Sequence, residues 1–258
     1  MDRRILVAVF IAGIFCIASF SGCVSQPSQP DKIEGMSAKE ALDKSFAASA
    51  ATGSYSYKMT MRASLPNDVS AGVAMDVMSV YGIVDKVNKK MYLSTVMNQL
   101  QSANNTETYI IGSTYYGRNA SGEWVKQEST NDKLWQQSSI QGMQGELANY
   151  SAVSFLSEEK VDGVSCYVIN ITPDKDKLPS LLGKNANLPE QTLSNIVSAS
   201  IKEWVAKDSF LMKRMSFQID MEDSGKIIRM ETEIVFSDYG KEQSIDLPEG
   251  AKNAKALE

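Results

Sequence analysis

Two hydrophobic periods alternate along this chain. From Met36, the segment MSAKEALDKSFAASAATG brings Met36, Ala41 or Leu42, and Phe46 round near helical spacing and stops at Gly53, which predicts one amphipathic helix. The period then drops to two. In YSYKMTMRASL, Tyr55, Tyr57, Met59, Met61, Ala63 and Leu65 share one face, while Ser56, Lys58, Thr60 and Arg62 share the other, the pattern of a strand buried on one side. Further short stretches rich in β-branched and aromatic residues follow, VAMDVMSVYGIVD, KMYLSTVM, TETYIIGSTYYG and EWVKQES. Turn signals at Asn88-Lys89 and Asn119-Ala120-Ser121-Gly122 separate them into a meander.

Between Asn131 and Tyr150 the pattern turns helical through Leu134, Ile140, Met143 and Leu147, weakened by Gly142 and Gly145. Strand character returns in SFLSEEKVDGVSCYVINITP, where Asp162-Gly163 is a strong hairpin signal. Residues 174–200 predict one or two short helices, with Pro189 at a position that a first helical turn tolerates. In FLMKRMSFQIDME, Leu211, Met215, Phe217, Ile219 and Met221 face one way, and Met212, Arg214, Ser216, Gln218, Asp220 and Glu222 the other. After Ser224-Gly225 the alternation repeats through Ile228, Met230, Thr232, Ile234 and Phe236. The fold class is therefore mainly β (α+β): a long, mostly antiparallel sheet, apolar on one face, with about three helical inserts to cover that face.

The start of the chain obeys another logic. Met1-Asp2-Arg3-Arg4 is basic, and Ile5 to Phe20 carries no charge, yet the run is shorter than the roughly 20 residues that span a bilayer comfortably. Ser21 and Gly22 then precede Cys23. Residues 1–22 read as a cleavable export signal. Signal and cysteine together resemble a bacterial-type or archaeal lipobox, with Phe20 departing from the usual aliphatic residue. That reading makes Cys23 the lipidated N-terminus, residues 23–35 with Pro27 and Pro30 a polar tether, and residues 36–258 a single folded domain anchored on the extracytoplasmic face of a membrane. Cys16 would leave with the signal, and a lipidated Cys23 cannot pair, so no disulfide framework is expected. Cys166 alternates with Val164 and Val168 and reads as a buried small hydrophobe.

Composition narrows the chemistry. The 258 residues are 43% hydrophobic and 22% charged, enough apolar content for one globular core. Histidine is absent, which removes His-based triads, Cys–His dyads and HExxH zinc sites. No glycine-rich phosphate loop or CxxC occurs. Ser157-Glu158-Glu159-Lys160 has the spacing of Ser–Lys acyl enzymes but lies ahead of a hairpin, without companion motifs. Asp174-Lys175-Asp176-Lys177 opens like a calcium loop, but Leu178 and Asn185 stand where oxygen ligands belong. Trp124 and Trp204 sit among strand residues as core anchors. The formal net charge of −5, one unit more negative once Asp2, Arg3 and Arg4 are removed, argues against nucleic acid as a partner. No catalytic residue, metal or cofactor is expected. Asn104 and Asn119 head Asn-x-Ser/Thr triplets in polar, turn-like stretches and are the better glycosylation candidates.

The order of elements carries a resemblance. The N-terminal helix, GSYSYKMTM, the pair YIIGSTYYGRNASGEWVK, the hairpin KVDGVSCYVINITP and the ending from Trp204, Asp208, Leu211, Lys213 and Phe217 to Phe236, Asp238, Tyr239, Leu247 and Pro248 together resemble the LolA/LppX/LprG group of exported carriers and lipoproteins. The resemblance covers roughly residues 36–254 and implies a curved antiparallel half-barrel whose concave face is closed by helices over an apolar cavity, where relatives hold acyl chains. The in-facing Met59, Met61, Met215, Phe217, Ile219 and Ile234 are the candidate cavity lining, since thioethers adapt to irregular apolar ligands. The expected function is a membrane-anchored lipoprotein that binds or carries an apolar ligand. The competing reading is a non-catalytic interaction or structural lipoprotein with the same fold and no ligand.

Changing Cys23 to Ser should move the protein from the membrane to the soluble fraction, because each acyl methylene withdrawn from the bilayer forfeits about 0.8 kcal/mol. Fractionation checks this: a signal-processed Cys23→Ser protein that stays with the membrane contradicts the lipobox.

Overall fold

Hairpin turns lay this chain out as neighbouring strands. The computed structural model describes residues 32–64, 74–99, 102–119, 121–128, 151–174 and 195–257. The described chain enters through a small hairpin, β1 (Lys32–Ile33) and β2 (Met36–Ser37), whose turn residues Glu34 and Gly35 both have positive φ, 53° and 80°. Pairing thus begins inside the stretch read as tether. Ile33 and Met36 pack against the core, so that end of the tether folds with the domain.

Ser37 then starts helix α1 (Ala38–Ala51). Its hydroxyl accepts from the Glu40 amide at 3.2 Å while the Glu40 carboxylate accepts from the Ser37 amide at 2.7 Å, a reciprocal cap that stabilises the first turn by about 1 kcal/mol. At the other end, Lys86 Nζ donates to the carbonyls of Ser49 and Ala50, satisfying acceptors that the helix leaves open.

A first meander runs through β3 (Ser54–Ser64), β4 (Met75–Asp85), β5 (Lys90–Gln99), β6 (Ser102–Ile111), β7 (Thr114–Arg118) and β8 (Trp124–Glu128). A second runs through β9 (Ser151–Val161), β10 (Val164–Pro173), β11 (Ile196–Ala206), β12 (Met212–Asp223) and β13 (Lys226–Ser237). Helix α2 (Glu249–Lys252) and β14 (Lys255–Ala256) close the chain, β14 lying parallel to β8. Because β13 pairs with β3, the meanders fuse into one sheet of twelve strands among the described residues, in the order β14-β8-β7-β6-β5-β4-β3-β13-β12-β11-β10-β9. Asp162-Gly163 and Ser224-Gly225 both have positive φ at the two turn residues, the backbone that a tight hairpin requires.

A twisted sheet this wide curls. Register shifts leave one unpaired residue in each of β4 (Val77), β9 (Leu156), β11 (Val197) and β12 (Lys213), and such bulges bend the strands that carry them. The result is a large, curved, open sheet, mainly β, with few helices. The Lys213 bulge also corrects the expected facing at the start of β12. Met212 pairs with Val205 and is buried in the core, whereas Leu211 is only half-buried, because one extra residue reverses the alternation.

Of the expected covering helices, α1 packs on the apolar face, where Ala38, Ala41 and Leu42 join Tyr55, Tyr57, Val84, Phe155, Ile169, Val205, Met215 and Phe236 in the main core. Burying a side chain such as Leu42 or Phe155 stabilises the fold by about 1.5–3 kcal/mol. The helix expected at 131–150, and the inserts expected after Asp174 as far as residue 194, lie outside the described residues. The end of the second insert is strand instead: Ile196 pairs with Met221 and Ala199 with Ile219. No described helix is long and apolar enough to cross a membrane.

Tyr57 faces Gly82 across β3 and β4, and a Cβ at Gly82 would lie 2.2 Å from Tyr57 Cε1. Glycine is thus required for the ring to lie flat over its partner strand. Gly82→Ala should lower stability by about 1–3 kcal/mol, read as a reduced melting temperature, and Tyr57→Leu in the same chain should restore part of the loss.

Candidate functional site

Strand register assembles the apolar face in rows. Met59 stands opposite Ile234, Ile234 opposite Met215, Met215 opposite Glu203, Glu203 opposite Ile169 and Ile169 opposite Phe155. The next row runs from Met61 through Thr232, Phe217, Ile201 and Ile171 to Val153. A third joins Ala63, Met230, Ile219 and Ala199. The six candidate lining residues therefore sit together on one face of the neighbouring strands β3, β13 and β12. They do not share one environment. Met215 and Ile234 belong to the buried core, whereas Met59, Met61, Phe217 and Ile219 are half-buried.

That difference is part of a gradient along the strands. On β4, exposure rises from 1% at Val84 to 39% at Met75, and on β5 from 0% at Met91 to 46% at Met97. On β3 it passes from buried Tyr55 and Tyr57 to half-buried Met59 and Met61, and on β12 from buried Met215 to half-buried Phe217 and Ile219. One end of the face is dry core beneath α1. The other is apolar and partly accessible.

A carboxyl stands in the middle of the first row. Glu203 is 1% exposed, its Oε2 has no hydrogen-bond partner, and burial pushes its pKa up to about 8. Tyr239 lies near it: its hydroxyl donates to the Met212 carbonyl at 2.6 Å and is pushed up, chiefly by burial and further by the charges of Tyr55 and Glu203, while a side-chain hydrogen bond with Ser49 of α1 opposes the shift. One turn before Ser49 on α1, Ser45 is fully buried with its Oγ also unpartnered. The alternation Ile201, Glu203, Val205 places this glutamate on the apolar face from sequence alone, and the candidate lining omits it.

The remaining sequence signals resolve into structural roles. Cys166 is fully buried on the opposite face with Val168 and Trp204, and burial raises its thiol pKa. Trp204 Nε1 donates to Glu159 at 2.8 Å while the Arg214 guanidinium lies 4.5 Å from the Trp204 ring centre. The Arg118 guanidinium lies 4.5 Å from the Trp124 ring centre, and the Tyr109 ring packs tilted against Trp124 at 5.9 Å. Ser157 to Lys160 lies on the edge strand β9, where Glu158 pairs with Lys207 at 2.6 Å and Ser157 Oγ donates to Glu159 at 3.3 Å. Asn104 is exposed on β6. The Asn119 side-chain oxygen accepts from the Ser121 hydroxyl at 2.8 Å and the Glu123 amide at 2.9 Å, which holds its turn. A cleft of about 850 Å³ beside the β4–β5 turn is mostly polar, and its Asp85 is engaged by Asn88 at 2.6 Å.

The chain matches, over residues 37–256, a family described as a family of unknown function (DUF6612). No curated protein matches it in sequence. Among solved structures it is similar to LprF from Mycobacterium bovis, at 15% identity and a TM-score of 0.51, covering 82% of this chain and 96% of that one. The lipoprotein LppX of Mycobacterium tuberculosis is similar at 13% identity and a TM-score of 0.47, over 81% and 97% of the two chains. A LolA superfamily protein from Nitrosomonas europaea gives 14% identity and a TM-score of 0.29, over 83% and 96%. The LprF likeness establishes the shared fold; the other two superpose too loosely to add to it.

Between the ordinary carboxyl value of 4.5 and about 8, folded Glu203 keeps a proton that the unfolded chain releases. Its contribution to stability therefore falls as pH rises through that window and levels off above it. Urea unfolding of wild type and Glu203→Gln should show the variant gaining on wild type from about pH 5 to about pH 8. A difference that does not change with pH would show that this carboxyl titrates alike in both states.

Proposed function

We propose, for a chain that belongs to the DUF6612 family of unknown function, that it is an exported lipoprotein which holds an apolar ligand, above all the acyl chains of a lipid, on the helix-bearing face of its sheet. The exposure gradient carries this reading: a continuous apolar face runs from dry core at Met91 and Val84 to accessible methionines at Met97 and Met75. A face that served only as core would be closed along its length, whereas a binding groove needs an apolar floor that can be reached. The lining suits chain-like ligands, since Met59, Met61, Met78, Met97 and Met230 offer flexible, polarisable surface at the accessible end. Cys23 supplies the membrane attachment, and exchange of acyl chains at the half-buried end needs no chemistry, so no catalytic group is assigned.

A second reading is an interaction lipoprotein with the same fold and no ligand. It draws on Met215 and Ile234, two of the six lining candidates, which belong to the buried core.

Dye binding separates the two. Nile red should bind the full-length protein saturably and be displaced by long-chain lipids. Phe217→Trp and Met61→Trp, in the half-buried region, should weaken dye binding with little change in melting temperature, while Ile234→Trp should cost about 1–3 kcal/mol of stability. If dye binding is absent, or if Phe217→Trp destabilises as much as Ile234→Trp, the groove is packed core and the ligand-free reading replaces this one.

A further inference from the structure

The proposed groove ends on a group that an acyl chain alone does not satisfy. In the row Met59, Ile234, Met215, Glu203, the first three residues are apolar and the fourth is a carboxyl with an unpartnered oxygen. A buried polar atom without a partner is costly, and one aligned with a binding face is satisfied when a ligand supplies the missing hydrogen bond. Met215 adjoins Glu203 across the strand pair and stands on the same face as half-buried Phe217, two residues along β12. A chain entering from the half-buried end reaches Glu203 only as Met215 and Ile201, both buried beside it, give way, the thioether by changing rotamer. Ser45, a second unpartnered buried group, faces the same helix–sheet interface from α1.

Resting on the apolar-ligand reading above, we propose that Glu203 is the head-group contact of the groove and selects amphiphiles whose polar end is an uncharged hydroxyl. The chemistry excludes the other common head groups. A fatty carboxylate would bring a second acidic group into a desolvated site, and an ammonium would require a charged pair to be taken out of water. A hydroxyl can donate to the one unpartnered oxygen, Oε2, which remains an acceptor while the proton sits on the other oxygen of the acid.

The test compares dodecan-1-ol with its methyl ether, which keeps the chain and the acceptor oxygen but lacks the donor. In displacement of Nile red from the full-length protein, the alcohol should be favoured about five- to tenfold, the effect of one hydrogen bond to a buried group. Glu203→Gln, whose amide also donates and accepts, should keep that preference, and Glu203→Met should bring it near one. The infrared C=O stretch of protonated Glu203 should shift with the alcohol and not with the ether, a readout that depends on no variant folding. A wild-type ratio near one, a preference that survives Glu203→Met, or an unmoved C=O band overturns the proposal and makes Glu203 a structural residue. Failure of the dye to bind at all instead removes the groove itself, and this inference with it.

Discussion

The fold depends on one strand pairing, β3 against β13. It joins the two meanders into a single sheet, and its register from Arg229–Ser64 to Ser237–Ser56 decides which side chains of both halves share a face. A slip of one residue would send Met59, Met61, Ile234 and Phe236 to the opposite side. Aromatic packing holds the register. Tyr55 lies 6.1 Å from both Phe236 and Tyr239, and Tyr57 lies 6.4 Å from Phe236, with Gly82 leaving room beneath the Tyr57 ring. Each contact joins β3 to β13 or to the residues just beyond it, far apart in sequence, a non-local topology of the kind that folds slowly.

The same pairing places α1. The helix is tied at its start by the Ser37–Glu40 cap and at its end by Lys86, and between these it lays Ala41 and Leu42 on the core and Ser49 toward a polar patch. That patch comprises Glu203 of β11 and Tyr239 just beyond β13. A wholly apolar interface would be easier to bury, since a carboxyl without a partner carries a desolvation cost that its protonation only reduces. On the reading proposed above, a polar patch at the inner end of the apolar face would give the site chemical selectivity beyond hydrophobicity.

The N-terminal hairpin is tied to the far half of the sheet by a polar cluster. Tyr167 donates to Glu34 at 2.7 Å, and Lys207 bridges Glu34 at 3.1 Å and Glu158 at 2.6 Å. These bonds hold the Glu34 carboxyl below its usual range, the Tyr167 hydrogen bond first. Exposed ion pairs are individually weak, but this cluster, with Ile33 packed against the core beside it, ties the hairpin to β9 and β10. The described chain thus passes from this tied hairpin directly into α1, which packs on the apolar face.

Local pattern determined much of this protein. The alternation in YSYKMTMRASL, the turn at Asp162-Gly163 and the cap at Ser37 each act within a few residues, where side-chain period and backbone preference suffice, and strands, hairpin and helix lie where they indicate. The same alternation brought Met59, Met61, Met215, Phe217, Ile219 and Ile234 to one face. It could not say which of them are core and which are reachable, because exposure depends on what α1 and the sheet's curvature bring over each position. Nor could it foresee Met212 facing inward, since a bulge is a property of two strands, and the extra residue at Lys213 appears only when β12 is laid against β11. Glu203 shows both limits at once. Its place on the apolar face follows from Ile201 and Val205 on either side, but its isolation follows from the helix above it and from the lack of any partner for Oε2, which only the assembled sheet decides.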